Sequence, residues 1–159
     1  MIGFREDVEA LGARMVDDLR QELIMQGHNA TGRLSKSLKH DVKITSNAIV
    51  LSIEGENYAK WVEHGRKAGK RPPVDVIYKW VVTKGISAPD KSQRDIAYAI
   101  ATAIGRDGTP LRGSYNHSPS GRRKGFIEIT LKRNKDDIEG AVKLFGEKAI
   151  RTITKQIQK

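Results

Sequence analysis

Four histidines, His28, His40, His64 and His117, and one adjacent acid–imidazole pair, Glu63-His64, have the widest chemical range in this chain. A zinc site needs ligands at a set spacing, such as two histidines one helical turn apart, and no two of these histidines have it. Neighbouring residues point apart on a helix or a strand, so Glu63 and His64 make a poor acid–base pair. The chain holds no Gly-x-Ser-x-Gly elbow and no glycine-bracketed Gly-Lys-Ser/Thr phosphate loop. Asp136-Asp137 reads as charge at the positive end of a helix rather than as half of a nuclease metal site. With no cysteine, disulfides and thiolate metal ligands are excluded. No catalytic centre, cofactor site or metal site is expected.

The remaining chemistry is charge. Formal net charge is +10, and the basic residues gather in two loops rich in glycine or proline. Residues 66–71 hold Arg66, Lys67, Lys70 and Arg71. Residues 106–125 hold Arg106, Arg112, Arg122, Arg123 and Lys124 against one acid, Asp107. Arginine and lysine on such loops suit phosphate contact without sequence readout, an acidic partner or an anionic surface. Tyr115 is the only aromatic among them, which argues against a stacking platform for single strands. No finger or duplex-recognition motif is present.

A chain of 159 residues suits one domain with one sizeable core. No apolar run approaches the ~18 residues of a membrane span, so no membrane partner is expected. The N-terminus lacks a basic stretch followed by an apolar one, so no secretory signal is read and a cytosolic origin fits. The sequons at Asn29 and Asn116 are then chance matches.

Periodicity supplies the elements. Phe4, Val8, Leu11, Met15, Leu19 and Leu23 recur at three- and four-residue steps, which predicts an amphipathic helix closed by Gly27. Alternation predicts a hairpin of strands 39–45 and 48–54 around a Ser46-Asn47 turn. A short helix over 57–64 stops at Gly65. Pro72-Pro73 opens a helix to about residue 84, with Gly85 after it. Ser92 and Asp95 form a candidate capping box for a helix running to Gly105. Residues 106–125 read as a twenty-residue loop, a length that marks function or disorder. Residues 126–132 alternate through Ile127, Ile129 and Leu131 like a strand, but equally begin a helix. Asn134 reads as the N-cap of a last helix carrying Ile138, Val142, Phe145, Ala149, Ile153 and Ile157, with Lys155 and Lys159 at its negative end. Strands and helices are segregated, so the class is α+β: a small antiparallel sheet, the hairpin with or without 126–132, packed by N-terminal, middle and C-terminal helices. A lone hairpin is marginal, so a further strand or helix cover is required.

Several pieces, taken in order, resemble the neck proteins of tailed bacteriophages, the small head–tail joining or tail-completion subunits. Thr31-Gly32-Arg33-Leu34 followed by Ser37-Leu38 matches the stretch after their first helix. Tyr58-Ala59, Val62-Glu63 and Gly65 match the segment after their hairpin. Arg71-Pro72-Pro73 with Ile77 and Trp80 resembles a longer variant of the family, as does 96–100 leading to Gly105 and Gly108-Thr109-Pro110. One departure is Arg66, where threonine commonly follows the glycine. In this setting Arg33 has the reach to anchor a carboxylate such as Glu63, or faces a neighbour.

The resemblance implies a virion structural protein without enzymatic activity, assembled in the host cytoplasm. It would form a homo-oligomeric ring in the head–tail connector or tail-completion complex, between portal or adaptor and tail, lining the DNA passage. Its terminal helices and mobile basic loops would supply heterologous contacts, ordering on assembly. Contact with double-stranded DNA would be non-specific. The alternative from charge alone is a free-standing basic nucleic-acid-binding protein.

Overall fold

A computed structural model describes the backbone of residues 2–45 and 48–157 and the side chains of residues 4–45, 48–151 and 154. The fold is α+β, with one two-stranded antiparallel sheet among the described residues and helices packed on it. The Ser46-Asn47 turn and the side chains of Ile153, Lys155, Ile157 and Lys159 lie outside the described residues.

Helix α1 (Ile2–Met25) is the spine. Its stripe of Phe4, Val8, Leu11, Met15, Leu19 and Leu23 is buried throughout. The helix ends in a Schellman motif: Gly27 N–H donates to the Ile24 carbonyl and His28 N–H to that of Leu23. Gly27 takes φ +70° there. The short helix α2 (Arg33–Ser37), which the periodicity does not reveal, carries Leu34 into the core beside Leu23 and Leu38. Strands β1 (Lys39–Ile44) and β2 (Ile49–Glu54) pair from Lys39↔Glu54 to Ile44↔Ile49, in the expected register but each one residue shorter at the turn. In this register Val42 and Leu51 reach a second cluster with Phe4 and Val8, so α1 provides the cover that an isolated hairpin lacks.

Helix α3 (Ala59–His64) leads to Gly65. Helices α4 (Val74–Thr83) and α5 (Gln93–Asp107) form an antiparallel pair that buries Val81, Ala97, Ala101 and Ile104. The Ser92–Asp95 capping box forms in both directions. The expected stop at Gly105 does not occur, because α5 continues two residues further and ends on Gly108. Gly105 lies inside the helix where the Arg71 backbone crosses: a Cβ would stand 3.1 Å from Arg71 Cα.

Residues 126–132 are not a strand. They form helix α6 (Phe126–Arg133), which buries Phe126 and Thr130 one turn apart. The alternating Ile127 and Leu131 are left only partly covered, 36% and 46% exposed. The alternation is thus incidental to the helical pair that packs on α1. Helix α7 (Lys135–Ile157) returns antiparallel to α1, with the Phe4 and Phe145 rings 5.6 Å apart and Arg14 paired to Asp137 at 3.4 Å. Asn134 stands at the start of α7, its carbonyl accepting from Ile138 N–H. Its side-chain amide does not cap, however. It donates to Asp18 Oδ2 at 2.7 Å and to the Thr130 carbonyl, and so fastens the α6–α7 corner to α1.

Candidate basic interface

Three ties bring the two basic loops together and fix them. The first joins the loops to each other. Thr109 N–H donates to the Arg66 carbonyl at 2.7 Å, Arg66 N–H donates to Thr109 Oγ1 at 2.8 Å, and Gly69 N–H donates to the Gly105 carbonyl at 2.7 Å. Two glycines permit this approach. Gly65 (φ +76°, ψ 178°) and Gly108 (φ +78°, ψ −162°) both adopt a backbone region open essentially to glycine alone. A Cβ on Gly65 would meet the Thr109 carbonyl oxygen at 2.2 Å, and one on Gly108 the Arg66 carbonyl oxygen at 2.2 Å.

The second tie runs to the end of α1, whose last carbonyls have no partner within the helix. Ser120 N–H donates to the Met25 carbonyl at 2.9 Å, and Arg123 Nη1 to the Gln26 carbonyl at 2.6 Å. In return, fully buried Gln26 donates from Nε2 to the Lys124 carbonyl at 3.1 Å. Residues 106–125 are therefore not structureless. The segment contains a 3-10 helix (Arg112–His117), and its second half is fastened to the α1 terminus.

The third tie is Glu63. Its carboxylate accepts from Ile127 N–H at 2.7 Å and Glu128 N–H at 3.2 Å, and its carbonyl accepts from Gly125 N–H at 2.9 Å. A buried carboxylate from α3 thus caps the positive N-terminus of α6, to which Gly125 contributes no side-chain cap. The expected Arg33–Glu63 anchor does not form. Arg33 is exposed, and its Nε donates to Glu56 Oε1 at 2.9 Å. Glu63 is spent on backbone donors that only the fold reveals. Of the other motif residues, Gly32 takes φ +66° at the start of α2, Thr31 Oγ1 accepts from Arg33 N–H, and Leu34 is buried. Ser37 Oγ accepts from Glu56 N–H, while Tyr58 and Ala59 pack on the Leu23–Phe126 core. Glu63 is buried and His64 exposed.

The surface that results is basic. Lys67, Lys70, Arg71, Arg106, Arg112, Arg122 and Lys124 are exposed, whereas Arg66 and Arg123 are half-buried. Arg66 Nη2 braces the Lys70 carbonyl at 2.8 Å, and the Arg71 guanidinium lies 4.8 Å from the Tyr98 ring. Arg106 makes a two-pronged pair with Asp107, with both contacts at 2.7 Å. Among the described residues no group of three or more histidines or carboxylates is placed to hold a metal ion. No described helix is long and apolar enough to cross a membrane.

His28 sits under this surface. Burial, reinforced by the adjacent Arg123 charge, lowers its pKa from the ordinary 6.5 to about 4. The neutral ring donates Nε2–H to the Arg123 carbonyl at 3.1 Å. The unfolded chain takes up this proton near pH 6.5 and the folded chain only near pH 4. Stability is therefore lost as pH falls through that window and levels off below it. The expected loss is about 2–3 kcal/mol, and His28→Gln should remove it. Urea midpoints of the two proteins from pH 7.5 to 4 should converge; parallel curves would contradict the assignment.

A separate apolar slot of about 650 Å3 opens between β2, α6 and α7 over the α1 stripe. Its lips are Ile127, Leu131 and Val142, the last 67% exposed. No family model, curated protein or solved structure matches the chain.

Proposed function

We propose that this protein is a ring-forming subunit of the head–tail connector, or of the tail-completion complex, of a tailed bacteriophage, with a structural and not an enzymatic role. The observation that carries this reading is the ordered motif series, together with what its residues do. Glu63, Gly65 and Gly108-Thr109 are the groups that weld the two basic loops to the rest of the chain. A fixed basic surface suits a subunit that lines a DNA passage, because charge contact without sequence readout holds DNA without stalling its transit. The apolar slot and the exposed Leu131, Val142 and Ile150 offer area for a neighbouring copy, as a ring of heterologous contacts needs. Partners would be the portal or adaptor and the tail proteins.

Two experiments test this. Mass spectrometry of purified virions should find the chain in near-stoichiometric multiples of the other connector proteins; its absence would defeat the reading. The double variant Leu131→Asp/Val142→Asp should remain folded, since neither side chain belongs to the buried core, yet lose self-association at least about tenfold. Unchanged assembly would remove the slot from the interface. The second reading, a free-standing basic nucleic-acid-binding protein, is favoured by the convergence of the two loops on one surface. It requires a monomer whose duplex affinity falls steeply with salt.

A further inference from the structure

A second cavity, of about 290 Å3, lies beneath the welded loops, between α3, α4, α5 and the 109–123 segment. Its walls include three aromatic rings, Tyr58, Trp61 and Trp80, and the aliphatic side chains Ile77, Ile100 and Ile104. Trp61 is 56% exposed and Trp80 36%, unusual positions for the largest apolar side chain in a chain with a formed core. Among the described residues no carboxylate lines the cavity. Basic side chains stand at its edge, and the acid near its Tyr58 wall, Glu56, is engaged by Arg33. Lys60 Nζ lies 5.1 Å from the Trp61 ring centre, and Lys84 stands near enough to His28 to act on its charge. The Lys124 stem lies over Gly65. Arg123 lines the wall, with Nη1 satisfied by the Gln26 carbonyl but Nε buried without a hydrogen-bond partner. A half-buried guanidinium with no facing carboxylate is a desolvated positive charge awaiting an anion.

We infer that this cavity is a socket for an acidic segment of a partner protein, which inserts one aromatic or large aliphatic side chain between Trp61 and Trp80 and sets its carboxylates against Arg123, Lys60 and Lys84. The occupant follows from the chemistry of the walls. A 290 Å3 apolar cavity takes one large side chain, and Lys60, Lys84 and Arg123 at its edge, with no carboxylate in its lining, select negative flanks. Duplex DNA is too wide to enter. A flipped or single-stranded base would find rings to stack on, but the aliphatic walls leave most of its polar edge unpaired, which opposes its burial. Neutral His28 adds no repulsion within the socket beyond that of the cations named. The inference rests on the assembly reading only for which protein supplies the segment; the ligand chemistry belongs to the cavity itself.

The chain contains two tryptophans and both line the cavity, so intrinsic fluorescence reports its occupancy directly. The test titrates the full chain with a capped hexapeptide bearing a central Leu-Phe pair between two acidic residues on each side. The same peptide with lysines in place of the acids, and an octamer of thymidylate, serve as alternatives. The acidic peptide should give a saturable spectral change. Lys60→Glu/Lys84→Glu, a change confined to exposed side chains, should weaken it at least about tenfold, and Ile100→Phe, which fills the cavity, should abolish it. No saturable change, an equal response to the lysine peptide, or saturation by the octamer alone would overturn the proposal. Peptide binding by a chain that never assembles would leave the socket standing and remove the ring; assembly without peptide binding would do the reverse.

Discussion

Glu63→Ala should destabilise the protein by about 2–3 kcal/mol, because it removes a buried charged acceptor from two part-buried backbone donors at the start of α6 and leaves both without a protein partner. Glu63→Gln keeps one acceptor oxygen but loses the charge that complements the helix end, and should cost about 1–2 kcal/mol. The loss should be local before it is global. Hydrogen exchange should quicken first at the Ile127 and Glu128 amides, then along α6 and at Gly125, which donates to the Glu63 carbonyl. By contrast, Arg33→Ala removes an exposed ion pair with Glu56 and should leave the urea midpoint almost unchanged. If the two substitutions have equal effects, Glu63 is not the cap of α6.

The second large effect belongs to the glycine pair. Gly65→Ala and Gly108→Ala each place a methyl group 2.2 Å from a carbonyl oxygen of the other loop, at a φ that penalises any side chain. Each should cost about 3 kcal/mol or more, enough to threaten folding of a domain this size. Gly121→Ala isolates the backbone contribution, since Gly121 has φ +67° but open space where its Cβ would go; it should cost only about 1 kcal/mol. The double variant Gly65→Ala/Gly108→Ala should fall short of the sum of its parts, because either change alone breaks the Arg66–Thr109 contact that both protect. Urea midpoints settle each comparison. A Gly65→Ala variant no weaker than Gly121→Ala would mean that the two loops are not joined as described.

These residues show how far the sequence could be read. The α1 stripe, the hairpin, the Ser92–Asp95 box and the glycine stops at 27, 65 and 85 were legible because they depend on local spacing and on single residues with restricted chemistry. The helix over 126–133 was ambiguous for a physical reason: Phe126 and Thr130 are a helical pair, but Ile127, Ile129 and Leu131 overlay a period of two. What decides between them is a carboxylate more than sixty residues away, and nothing local to α6 announces it. The basic loops stood out by composition, whereas their junction did not, because it is made by backbone groups of Arg66, Gly105 and Thr109. Loop 106–125 read as free because its anchors are the terminal carbonyls of α1, which every helix has and no sequence marks. The aromatic socket was hidden in the same way. Among phenylalanine, tyrosine and tryptophan, the basic segments hold Tyr115 alone, yet Trp61 and Trp80 line the cavity beneath them from two different helices.

The assembly reading joins these parts: a welded basic surface toward DNA, an apolar slot toward a neighbouring copy, and a cation-rimmed socket toward an acidic partner. It is tested most directly by the mass of the full chain in solution, measured by light scattering across protein and salt concentrations, alone and with purified virion connector components. A single closed oligomer, formed by the chain itself or upon mixing, is the expected result. A monomer at every concentration that ignores those components and binds duplex DNA would contradict it.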